Sequence, residues 1–171
     1  MSTIVRLAFA VTVLVAAVSG VALRAASGAP AAAKPFAATF TESAASITNR
    51  IADLGVFQLI NTGSGTVDGY GAATIVVGVT QDRSVEPCGP GSWTNAGVRR
   101  IVVDAGVLVL RGSAYACQTA SGPIATERWT VDGPSSTGVF AGARGSGGGT
   151  VNLTTHTSTL SGKLKLAHQD G

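Results

Sequence analysis

Residues 107–117 read VLVLRGSAYAC, and residues 125–131 read ATERWTV. In the first stretch Leu108, Leu110, Gly112, Ala114 and Ala116 take alternate positions. Val107, Val109, Arg111, Ser113, Tyr115 and Cys117 fill the places between them. In the second stretch Ala125, Glu127, Trp129 and Val131 alternate with Thr126, Arg128, Thr130 and Asp132. A period of two belongs to a β-strand, whose successive side chains leave opposite faces. A helix would place its apolar residues three and four apart. These two stretches predict an all-β fold.

Working outward, short apolar and polar alternations recur between Gly, Asn, Asp and Pro. They predict strands at Phe36–Glu42, Val56–Asn61, Ala72–Thr80, Arg99–Val103, Val107–Cys117, Ala125–Val131, Gly149–Leu153 and His156–Leu166. Only Thr41–Asp53 is open to a helix, and its Thr and Ser content works against one. Asp104-Ala-Gly106 suits a tight hairpin with Gly at positive φ. The run Gly145-Ser-Gly-Gly-Gly149 reads as a loop or bulge. Gln81–Gly97 is the longest stretch without a pattern. Antiparallel strands in this number leave two edges, which closure into a barrel removes. The expectation is an eight-stranded antiparallel barrel, with a two-sheet β-sandwich as the alternative.

The chain has 171 residues, 23 of them Gly, and only 12% are charged. Recurring Val, Ile and Leu blocks separate it from a disordered chain. Arg6, then the apolar run Leu7–Leu23, then Ala25-Ala-Ser-Gly-Ala29 follow the order of a secretory signal. The expected layout is a signal helix at 1–29, cleaved somewhere in 26–33, a linker at 30–35, and one domain at 36–168. The expected destination is therefore outside the cell, with membrane contact only through the signal before cleavage. The whole chain carries 12 Lys+Arg against 9 Asp+Glu. Without Arg6 and Arg24, 10 face 9, a net of +1. No basic stripe remains to argue for nucleic acid.

Cys88 and Cys117 are the only two cysteines. In an exported chain a lone pair most simply forms a disulfide. Closing a loop of about 30 residues would stabilise the fold by roughly 3.5 kcal/mol. No Cys-x-x-Cys pair is present, and His156 and His168 lie far along the chain, so no metal site is expected. The Gly-rich runs 63–71 and 142–149 lack the Gly-Lys-Ser/Thr ending of a phosphate loop. Nothing in the chain implies a cofactor.

Strand parity sorts the remaining chemistry. Glu127 shares a face with Trp129, and Glu42 with Phe36 and Phe40, unusual company for carboxylates. One reading makes Glu127 a polar anchor in an apolar pocket, with Arg111, Tyr115, Trp129 or Glu42 beside it. Glu127 and Glu42 are then the candidates for acid–base catalysis. The competing reading is a structural Glu127–Arg111 ion pair, or Trp129 packed outside. In the last strand His156, Ser158, Leu160, Gly162, Leu164 and Leu166 share a face, so His156 is expected to point inward at a barrel end.

Thr137-Gly-Val-Phe-Ala-Gly-Ala-Arg-Gly-Ser-Gly147, followed by a β-run and Leu160-Ser-Gly-Lys-Leu164, resembles the closing half of the allene oxide cyclase and dirigent-like barrels. Asn61-Thr-Gly-Ser-Gly-Thr-Val67 resembles the Gly-rich lead-in of such barrels. The resemblance covers roughly 56–166 and implies a calycin-like, eight-stranded barrel with an apolar cavity open at one end. No catalytic residue of that superfamily matches a position here, so the resemblance carries the cavity and not an activity. Three functional readings follow. The first is a non-enzymatic binder of a small apolar molecule, or an extracellular interaction module. The second is a cofactor-free cyclase or isomerase, and the third is a structural protein with a filled barrel. The cavity volume separates the first two from the third.

Overall fold

The computed structural model describes residues 32–167. Residues 1–29, read above as a signal, and His168 lie outside the described residues. Nine strands follow one another: β1 (Lys34–Glu42), β2 (Ser46–Ile51), β3 (Val56–Val67), β4 (Gly71–Asp82), β5 (Trp93–Val103), β6 (Gly106–Thr119), β7 (Gly122–Val131), β8 (Arg144–Asn152) and β9 (Thr157–Lys165). All neighbours pair antiparallel, in the order β1-β9-β8-β7-β6-β5-β4-β3, and β3 returns to β1. The eight strands therefore close into a barrel, and the sandwich alternative falls. β2 is the ninth strand. It prolongs the β1 side along the first half of β3, which pairs with β1 only over Gly63–Val67.

Several expectations change. The stretch open to a helix holds β2 and a single 3-10 turn at Ala52–Leu54. The Gly-rich run 145–149 is not a loop but the middle of β8. A Cβ on Gly147 would collide with Trp129 Cζ2 and with the Ser161 carbonyl. Glycine is there because a large side chain of β7 lies across it, a reason that local flexibility does not reveal. The patternless stretch shrinks to residues 83–92, because β5 starts at Trp93. Asp104 and Ala105 form the expected hairpin turn, with Gly106 at φ 145°.

The two barrel ends differ. At one end the β7–β8 connection folds inward and buries Phe140 completely. Phe140 packs on Tyr70 with ring centroids 4.8 Å apart. Beneath it lie Phe36, Phe40, Val67, Ile75, Ile101, Leu108, Leu110 and Leu164. At the other end only Ala116, Ala125 and Val151 form a small apolar cluster, with Trp93 and Leu153 against it. The disulfide joins Cys88, in the loop between β4 and β5, to Cys117 near the end of β6, with Cα atoms 5.6 Å apart. It holds that loop against the open end.

Candidate functional site

At the open end the interior contains a cavity of about 350 Å³. That lies within the range of sites that enclose small molecules, roughly 300–1,000 Å³. Its upper wall is apolar, built from Leu59, Val77, Val79, Trp93 and Leu153, with Ile47 of β2 at the mouth. Arg83 stands beside the mouth, its guanidinium over the rings of Phe57 and Trp93.

The floor is charged. β1, β5 and β7 each turn one ionisable side chain inward: Glu42, Arg99 and Glu127. Arg99 Nη2 and Nε donate to Glu127 Oε2 at 2.7 and 3.1 Å, and Nη1 donates to Glu42 Oε1 at 2.9 Å. The side chains of Arg99, Glu42 and Glu127 are 12%, 4% and 9% exposed. Burial alone would lower the Arg99 pKa, but the charges of Glu127 and Glu42 outweigh it and hold the guanidinium above its ordinary value. Asn61 Nδ2 donates to Glu42 Oε2 and completes that carboxylate.

The two carboxylates are not equivalent. Both oxygens of Glu42 are engaged, whereas Glu127 Oε1 is buried with no hydrogen-bond partner. That oxygen lies over Gly149, where an added Cβ would come within 3.1 Å of it. Asn95 Oδ1 and Ser158 Oγ are also buried without a partner. Unmatched buried polar atoms cost free energy, so a donor brought to this floor is stabilised. Two carboxyl groups share the one guanidinium of the floor.

The structure brings together some of the predicted site residues and separates others. Glu127, Glu42 and Trp129 meet inside the barrel. Trp129 is buried, its ring edge-on to Phe36 at 5.4 Å, and its Nε1 donates to the Gly148 carbonyl at 3.0 Å. Arg111 and Tyr115 do not line the cavity. They share the outer face of β6, where Arg111 is 61% exposed and bonds Asp132 at 2.6 Å. Tyr115 is 45% exposed. The expected Glu127–Arg111 pair is therefore replaced by Glu127–Arg99. The inward face of β6 is the one with Leu108 and Leu110, not the one with Val107 and Val109. His156 is not in a strand; it occupies the turn before β9 at φ 57° and gives its carbonyl to the Glu42 N–H at 2.7 Å.

Arg99, the hub of the site, was read only as the first residue of a strand. Its parity with Ile101 and Val103 is a signal, but Val98 and Val102 make the other face equally apolar. Asn95 was hidden because its segment lacked a strand pattern. Among the described residues no group of three His, Cys, Asp or Glu side chains is placed to hold a metal ion. No protein-family model matches the chain, and no curated protein does.

Proposed function

We propose that this barrel binds a small amphipathic molecule, with its apolar body between Trp93, Leu59 and Val79 and a hydrogen-bond donor on the charged floor. The observation that carries this reading is Glu127 Oε1, a buried carboxylate oxygen without a donor at the base of an apolar-walled cavity. The reading narrows the expected ligand from apolar to apolar with a hydroxyl or ammonium head. A carboxylate head would meet two carboxylates and is disfavoured. The secretory pattern of residues 1–29 and the single disulfide support action outside the cell.

The test uses ligands of one chain length, octylamine, octanol and octanoate, titrated while following tryptophan fluorescence. Both tryptophans, Trp93 and Trp129, line the cavity and report its occupancy. Octylamine and octanol are expected to bind and octanoate to fail. In Glu127→Gln the preference for the amine disappears. Equal binding of all three, or none, overturns the reading.

The same unshared oxygen supports a second reading, a cofactor-free isomerase in which Glu127 moves a proton. Glu42, with both oxygens engaged, does not fill that role. Native mass spectrometry of the mature protein from culture medium would show any molecule that co-purifies. Conversion of that molecule by wild-type protein, absent in Glu127→Gln, would favour the enzyme.

A further inference from the structure

The outer wall of the barrel carries a second concavity, a groove of about 1140 Å³ across β5–β9. Its floor is made of hydroxyls. Tyr115, Thr126, Thr150 and Thr159 stand directly opposite one another on successive strands. Thr150 and Thr159 hydroxyls are 3.0 Å apart. In the next row Arg128, Gly148 and Ser161 are opposite one another, and the missing side chain at Gly148 deepens the floor. Pro87, in the loop that the disulfide fastens to β6, stands at one edge.

The same face is basic. Arg128 lines the groove, Lys163 stands opposite the lining residue Ser146, and Arg144 and Lys165 lie one row further along β8 and β9; among the described residues none of the four meets a carboxylate. Asp132, at the end of β7, is taken by Arg111, and Glu127, whose side chain turns inward, by Arg99. Arg144 is paired in register with Lys165. Like charges directly opposite in a sheet destabilise it, so this arrangement favours an anion between them. β7–β9 present no large exposed apolar side chain, and Tyr115 of β6 is the one on the groove floor; among the described residues others lie away from it, at Ile47, Ile51 and Leu54 for instance. A membrane surface would seek apolar side chains to insert and would not enter a concave groove. Stacked bases would seek a row of aromatics, and the groove has Tyr115 alone on its outer face.

We infer that this groove binds an acidic polysaccharide, with sugar hydroxyls on the Thr and Ser rows, a ring against Tyr115, and uronate carboxylates on Arg128 and Lys163. It lies on the outside of the β5–β8 wall that also bounds the interior cavity, and the inference stands whether or not that cavity holds a ligand. The probe is a fluorescein-labelled oligogalacturonate, measured by anisotropy with the oxidised mature protein at low salt. A neutral oligosaccharide of equal length is the control. The acidic chain is expected to bind, and the neutral one at least about tenfold more weakly, since each exposed contact between opposite charges contributes a few-fold. Arg128→Ala with Lys163→Ala should weaken binding about tenfold, and added salt should do the same. Both substitutions are on the outer face, and an unchanged circular dichroism spectrum verifies the fold. Tyr115→Ala should weaken both oligosaccharides. Equal affinity for the two chains overturns the inference. So do an unaffected double variant and stronger binding to anionic phospholipid vesicles or to single-stranded DNA.

Discussion

Replacing Arg99 by Met removes the one cation of the buried floor and keeps an unbranched side chain of similar length. Three hydrogen bonds of 2.7–3.1 Å vanish together, and Glu42 and Glu127 face each other with side chains 4% and 9% exposed. Removing one partner of a buried ion pair costs about 3–5 kcal/mol, because the remaining charge is left without compensation. Set against a usual domain stability of about 5–15 kcal/mol, that is a large share. The melting temperature should drop by about 10–20 °C. Urea unfolding followed by tryptophan fluorescence measures it directly, with Trp93 and Trp129 as reporters beside the cluster. Two further results follow from the same physics. Protonation relieves a buried carboxylate without a cation, so the deficit of Arg99→Met should shrink as the pH falls into the ordinary carboxylate range. The triple variant Arg99→Met, Glu42→Gln, Glu127→Gln carries no buried charge and should recover at least half of the loss. An Arg99→Met deficit below about 1 kcal/mol that is constant with pH would refute the reasoning, since exposed ion pairs behave in that way.

Gly147→Ala places a methyl group against Trp129 Cζ2 and the Ser161 carbonyl. It should cost about 1–3 kcal/mol by overpacking, readable as a lower urea midpoint. Cys88→Ser with Cys117→Ser opens the loop spanning 29 residues and should cost up to about 3.5 kcal/mol, measured against the oxidised protein by the same titration. The Asp132 carboxyl is held below its ordinary value by the Ser135 hydroxyl and by Arg111. Its folded value lies below its unfolded one, so it adds stability at neutral pH that is lost as the pH falls through the folded value. Asp132→Asn should be less stable than wild type at neutral pH, and the gap should close as the pH falls below the folded value. A gap that widens in acid would contradict the assignment.

The barrel was legible because its strands alternate, and alternation survives even where strand ends blur. Parity also placed Glu127 with Trp129, and Glu42 with Phe36 and Phe40, on the buried side. It failed on β6, where Val107 and Val109 match Leu108 and Leu110 in hydropathy, so the pattern there has no preferred side. Val109 is in fact buried on the outer side, under the β7–β8 connection, where its N–H meets Ser136 Oγ at 3.0 Å. A loop covering a strand from outside leaves no period in the sequence. Arg111 and Tyr115 were misplaced for that reason, and Arg99 was missed because both faces of β5 are apolar. The glycines of β8 were misread for another reason. Their role depends on Trp129, a neighbour across the sheet, and a glycine run records only that side chains are missing.

The contrast between the two barrel halves bears on why the charged floor exists. A buried ion cluster is seldom the most stable filling for an interior, since apolar side chains of similar volume do as well or better. This chain has that solution available. Between Phe140 and the floor, Phe36, Phe40, Ile75, Ile101 and Leu160 are nearly inaccessible and close the barrel. One layer further toward the open end the same strands supply Glu42, Arg99 and Glu127 instead, at the base of the cavity. The cluster is also incomplete, with Oε1 of Glu127 left without a donor while every other oxygen of the two carboxylates has one. A cluster serving stability alone would be expected to close its hydrogen bonds, because an open one loses free energy with nothing in return. Under the proposed binding reading, that open acceptor is where the donor of the ligand would sit.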